Sequence, residues 1–175
     1  MFQVFEQAQK YIHDYHVKMV DLKFSDLWGR WHHLTLPAAH FHPEIMQQGI
    51  GFDGSAVGLK SVKAGDMVLI PDLRTGFMDP FWDSPTLSFI CTAFEADTYA
   101  TFENDPRNIA MRAEAQLKAS GVADESLWGP EYEFYIFDRV AYEYGINRAS
   151  YEISSAEADW NSAQGGHGHY IPAHG

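Results

Sequence analysis

Glu131 and Glu133 lie in the run Gly129-Pro130-Glu131-Tyr132-Glu133-Phe134-Tyr135-Ile136-Phe137-Asp138. A Gly-Pro break followed by aromatic and β-branched residues predicts a strand. Side chains alternate along a strand, so the two glutamates share a face, about 6.5–7 Å apart. Two carboxylates this near each other repel unless a cation, a shared proton or water intervenes. Their neighbours are apolar, which disfavours screening by water alone. A hard divalent cation such as magnesium, which takes oxygen ligands, suits the pair. The spacing leaves a second reading open, an edge strand with a solvated acidic face.

Asp53 is the other carboxylate placed for chemistry. It sits in Gly49-Ile50-Gly51-Phe52-Asp53-Gly54-Ser55, where three glycines within six residues allow close backbone approach and predict a loop. A carboxylate can project freely there, or it can close an Asx-turn on its own backbone. The histidines are weaker candidates. His167, His169 and His174 include a His-x-His pair of the kind that ligates zinc or copper, but no Cys or nearby carboxylate completes a set. His32 and His33 are adjacent and face opposite ways on a strand, so they do not share one metal easily.

The elements that must position these residues follow from periodicity. Phe5, Ala8, Ile12 and Tyr15 recur at helical spacing and predict a helix over Phe2 to Tyr15 with one apolar face. Val17 to Phe24 alternates, with Val20, Leu22 and Phe24 on one face and Asp21 and Lys23 on the other. Arg30 to Leu36 returns after a turn, so the two segments predict an antiparallel hairpin. A short helix is expected over His40 to Gln48, and a polar, mobile connection over Lys60 to Gly65. Strands are expected over Asp66 to Pro71 and, centrally, over Thr86 to Phe94. Between them, Arg74 to Pro85 reads as a long loop packed down by Phe77, Phe81 and Trp82. Asp105 as N-cap, Pro106 at the first helical position and Gly121 as the stop define a helix. Its buried stripe is expected at Ile109, Ala113 and Leu117. Val140 to Ile153 suggests a hairpin around Gly145-Ile146-Asn147, and 154–175 reads as loop or disordered.

Composition excludes several classes. The chain has 175 residues, 24 acidic against 12 basic, for a formal charge of −12. Phosphate-backbone binding needs clustered Lys and Arg, so nucleic acid is not expected as a partner. No apolar run approaches the roughly 20 residues of a membrane span, and no signal peptide opens the chain. Cys91 is the single cysteine, which forbids an internal disulfide and fits a cytoplasmic setting.

Four motifs occur in order: Gly51-Phe52-Asp53-Gly54-Ser55, then Gly65-Asp66-Met67 with Pro71-Asp72, then Asp105-Pro106-Arg107, then Gly129-Pro130-Glu131-Tyr132-Glu133-Phe134. Together they resemble the N-terminal part of a bacterial-type (class I) glutamine synthetase, from about Val17 to the end of the chain. The resemblance implies an α+β architecture: a β-grasp domain over 1–103, then the start of the catalytic domain over 104–175. It implies a ligase that joins glutamate and ammonium with ATP through γ-glutamyl phosphate. Magnesium or manganese would serve as cofactor. Glu131 matches the glutamate binding the metal on the ATP phosphates, and Glu133 the one binding the metal nearer the glutamate substrate. Asp53 matches the aspartate that binds ammonium and takes its proton, acting in the neighbouring subunit. The implied assembly is a homo-oligomer, a dodecamer of two hexameric rings.

The family's chain is more than twice this length, so the 175-residue chain alone is expected to lack ligase activity. Two alternatives carry different chemistry: a ligase of the same fold using another amine such as a polyamine, or a non-catalytic assembly module.

Overall fold

The structure is a computed structural model and describes residues 1–155. The chain divides into two compact units, Met1–Ser126 and Leu127–Gly175. The histidines at 167, 169 and 174, and most of the segment expected to be loop, lie outside the described residues.

In the first unit, helix α1 (Phe5–Asp14) precedes strand β1 (Met19–Ser25) and its antiparallel partner β2 (Trp31–Pro37), the expected hairpin. A short 3-10 turn, Ala38–His40, and a one-turn helix α2 (Ile45–Gln48) stand where a single helix was expected; Pro43 separates them. Strand β3 (Ile50–Asp53) runs antiparallel to β4 (Asp66–Pro71), and β5 (Phe77–Met78) is a two-residue strand inside the long loop. Strand β6 (Thr86–Glu95) is central. It pairs parallel with β1 and antiparallel with β4 and β5, giving the order β2-β1-β6-β4-β3 with β5 beside β6.

One face of this sheet carries the core. Val20, Leu22 and Phe24 of β1 and Leu87, Phe89, Cys91 and Ala93 of β6 share it with Phe5 and Ala8 of α1. Phe89 stacks on Phe41 at 5.3 Å, and Phe41 meets Phe5 at 5.1 Å. Each such side chain contributes about 1.5–3 kcal/mol when buried. The helical apolar face narrows toward its end: Phe5 and Ala8 are buried, Ile12 is half-buried, and Tyr15 is exposed, stacked on Tyr11.

Helix α3 (Pro106–Ser120) has the expected ends. The Asp105 carboxylate accepts the Arg107 amide at 3.0 Å, and Gly121 closes the helix in the left-handed region. Asp105 Oδ2 also accepts the Ala93 amide at 2.9 Å, and Arg107 pairs with Asp72, so the helix start is tied to β6 and to the end of β4. The helix therefore belongs to the first compact unit. Its expected apolar stripe is a correction. Asn108 is the helix's buried residue, while Ile109 is 39% exposed and Ala113 is exposed. Leu117, the third residue of that stripe, is half-buried. Leu127–Gly175 is a separate unit, in which β7 (Arg139–Gly145) and β8 (Arg148–Ser154) form the expected hairpin, closed by Ile146-Asn147.

Candidate functional site

Three differences between expectation and structure concern the site. The glycine-rich segment at Asp53 is a strand rather than a loop as far as residue 53, because Ile50–Asp53 pairs residue by residue with Asp66–Leu69. Asp53 ends that strand opposite Asp66 and is exposed. Its Oδ1 accepts the Ser55 amide at 2.8 Å, so the Asx-turn forms. The side chain and amide of Ser55 hold the Asp53 carboxyl below its ordinary pKa.

The glycines around Asp53 make this geometry possible. The Gly54 amide donates to the Gly65 carbonyl at 2.8 Å, and a side chain at Gly54 would overlap Met67 Sδ. Gly49 enters β3 with φ +66°, and a Cβ there would stand 2.9 Å from the Leu69 carbonyl oxygen. Both positions need close backbone approach, and Gly49 also needs the left-handed region. The result is a carboxylate held at an exposed edge of the sheet by short-range contacts.

The second difference concerns Glu131 and Glu133. Residues 129–137 form no ladder, so the expected strand is not formed. A strand needs a hydrogen-bonding neighbour, and none lies alongside this stretch among the described residues. The segment is exposed, with Tyr132 at 86% and Phe134 at 79%. Tyr135 and Phe137, two residues apart, stack with ring centroids 6.1 Å apart, so the odd positions share a side there, as the strand periodicity requires. Both glutamates lie in the second unit, while Asp53 lies in the first. Among the described residues no group of three or more His, Cys, Asp or Glu side chains is arranged to hold a metal ion.

The third difference is a polar network the periodicity missed. Asp21 is completely buried, although alternation placed it on the face opposite the core. Its Oδ1 meets His33 Nδ1 at 2.8 Å and accepts the Thr35 hydroxyl at 2.5 Å. Lys23 pairs with Asp79, which also accepts the Ser88 hydroxyl at 3.1 Å. Asp26 is buried beside His32 (3.0 Å) and Arg30 Nε (2.8 Å). His32, despite the cost of burial, does most to hold the Asp26 carboxyl far below its ordinary pKa, with the Arg30 and Trp28 amides adding to it. The two adjacent histidines thus serve two different carboxylates. The hairpin register was the available signal, since it sets Asp21 opposite Thr35 and Lys23 opposite His33. The loop aromatics are a further correction: Phe81 is 92% exposed and Trp82 48%, because the loop is anchored by β5 and by Asp79 instead. The connection expected to be mobile contains a 3-10 turn at Val62–Ala64, and Lys60 pairs with Glu95.

A mixed sheet with a parallel central pair, a helix across one face and a carboxylate displayed at its far edge is a β-grasp module of the α+β class. Residues 16–96 match the family model for the glutamine synthetase β-grasp domain, and residues 103–173 match the model for its catalytic domain. The chain belongs to the glutamine synthetase family. It is 45% identical over 147 residues to glutamine synthetase from Methylococcus capsulatus, covering 83% of this chain and 31% of that protein. It is 39% identical over 165 residues to 3-hydroxylaminophenol mutase from Cupriavidus pinatubonensis, covering 94% of this chain and 35% of that protein. The chain thus spans about a third of the length of these curated relatives. The fold agrees with the solved glutamine synthetase of Plasmodium falciparum at a TM-score of 0.69 and 18% identity, covering 89% of this chain and 30% of that one.

Proposed function

We propose that this chain is the N-terminal part of an ATP-dependent glutamate–ammonia ligase and that Asp53 is its ammonium-binding residue. The observation that carries the reading is the Asp53 carboxylate, fixed at the exposed end of β3 by the Ser55 amide. Ammonium has a pKa well above neutrality, so it arrives as a cation and must lose a proton before it attacks. An exposed carboxylate is an anion at neutral pH, so Asp53 attracts the ammonium cation and receives its proton.

Glu131 and Glu133 would each hold a divalent metal, magnesium or manganese, Glu131 on the ATP side and Glu133 on the glutamate side. Such a metal neutralises the charge that phosphoryl transfer gathers at a carboxylate. Two carboxylates do not complete two shells of about six ligands, so the 175-residue chain alone is proposed to be inactive. The longer protein would act as a homo-oligomer, with Asp53 serving the neighbouring subunit. The family resemblance of both segments is what supports this reading. The reduced, buried Cys91 is compatible with a cytoplasmic setting.

The similarity to a mutase means that identity alone does not choose the reaction, so the test is direct. In the longer protein that carries this segment, Asp53→Ala should lower glutamine formation from glutamate, ammonium and ATP by at least about 100-fold. ATP binding should stay within about three-fold. Unchanged glutamine formation would reject the assignment. Faster turnover with a polyamine than with ammonium would favour the other ligase.

A further inference from the structure

The face of the sheet opposite the core carries a cavity of about 460 Å³ whose walls include Asp21, Lys23, Trp31, His33, Phe77 and Trp82. That volume suits a small organic molecule. The cavity is separate from the Asp53 edge, since its residues come from β1, β2, β5, the following loop and β6, and none from β3.

Its floor is asymmetric. Asp21 is 0% exposed, and its two oxygens differ. Oδ1 is held by both His33 and Thr35, whereas Oδ2 is buried with no hydrogen-bond donor among the described residues. The nearest charge to Oδ2 is Lys23 Nζ at 3.9 Å, beyond hydrogen-bond reach and already bonded to Asp79. A buried carboxylate oxygen without a donor is costly, and a ligand that brings an N–H relieves that cost.

The walls define the rest of the ligand. Trp31 is 61% exposed and Trp82 48%, so the indoles line an open mouth. Lys23 Nζ lies 5.4 Å from the Phe77 ring centroid, so one wall already accepts a cation against an aromatic face. Asp21 and Asp79 outnumber Lys23 by one charge, which favours a cationic guest and disfavours an anionic one. Flat rings on the walls favour a flat guest.

We propose that this cavity is a binding site for a small planar cation bearing N–H donors, of the amidinium or guanidinium type. One N–H donates to Asp21 Oδ2, which the guest reaches by parting the exposed Trp82 from His33, and the planar body lies against Trp31 and Trp82. Binding requires the Lys23 side chain to stay on Asp79, so the guest enters beside it without displacing it.

The test uses the full 175-residue chain, labelled with nitrogen-15, and benzamidine as probe. Indole N–H signals are assigned with Trp31→Phe and Trp82→Phe. Benzamidine should shift both indoles saturably, with the Trp28 signal unmoved, and benzoate should not. Asp21→Asn should weaken the benzamidine titration at least ten-fold. Because that change is buried and can impair folding, Trp82→Ala provides a second arm on an exposed wall, with an expected loss of about three- to ten-fold. No saturation by about 10 mM, an equal response to benzoate, or an unchanged affinity in Trp82→Ala would each overturn the proposal.

Discussion

Removing the Asp105 carboxylate should destabilise the first unit through two separate bonds. Its Oδ1 caps α3 at the Arg107 amide, and its Oδ2 satisfies the Ala93 amide inside the sheet. Loss of an N-cap costs about 1 kcal/mol. Leaving a buried backbone N–H unpaired costs about 1–3 kcal/mol. The sum for Asp105→Ala is about 2–4 kcal/mol, and relief of the buried charge moves it toward the lower end. At about 3–5 °C per kcal/mol for a unit of this size, the melting temperature should fall by about 6–20 °C. Urea unfolding followed by tryptophan fluorescence measures the change, and far-UV circular dichroism reports whether α3 melts with it.

The pH dependence adds a second readout. Burial raises the Asp105 carboxyl above its ordinary pKa, so the folded state binds its proton more tightly than the unfolded chain does. That contribution is present at low pH and is lost as pH rises from the ordinary carboxylate range through the raised folded value. Asp105→Asn should abolish this slope while keeping one acceptor for the cap. A loss under about 1 kcal/mol in Asp105→Ala would refute the assignment of the Ala93 bond as a structural requirement.

Three further outcomes are expected. Gly49→Ala places a side chain at φ +66°, 2.9 Å from the Leu69 carbonyl oxygen, and should destabilise by about 2 kcal/mol or more in the same urea assay. Cys91 is 1% exposed and its thiol is pushed up by burial, so a thiol reagent at pH 8 should label it only at the rate of unfolding; rapid labelling of the native chain would count against the central placement of β6. Asp26 is held well below its ordinary pKa, first by His32, so its contribution is intact at neutral pH. It should drain away as pH falls from the ordinary carboxylate range through the depressed folded value, and Asp26→Asn should flatten the acid limb of a pH–stability curve.

Much of the architecture was legible because it depends on local rules. The Asp105-Pro106 start and Gly121 stop of α3 are backbone chemistry, and they hold although the helix has little packing. Asp66–Pro71 is a strand with Pro71 as its last residue. The β1–β2 hairpin follows from alternation around a turn, and the β7–β8 hairpin from the turn residues Gly145-Ile146-Asn147. The short-range Asp53–Ser55 turn was equally legible, since an Asx-turn needs only two residues of sequence separation.

The rest required partners distant in sequence. Alternation puts Asp21 on one side of β1, but burial depends on what covers that side: β2 supplies His33 and Thr35, and the loop after β5 supplies Trp82. Ile50–Asp53 looked like loop because glycine is a poor strand former; pairing with β4 overrides that local preference. The same principle works in reverse at Glu131 and Glu133, where strong strand formers stay unpaired because a strand exists only beside another. By itself the sequence determined the residue types of the candidate site, the α+β class and the ends of α3, all properties of short segments. Only the tertiary structure decided that Asp53 stands at a strand end, that Asp21 is buried with one oxygen unsatisfied, and that Glu131 and Glu133 lack a ladder. These depend on which distant segments come together, and local periodicity does not encode that.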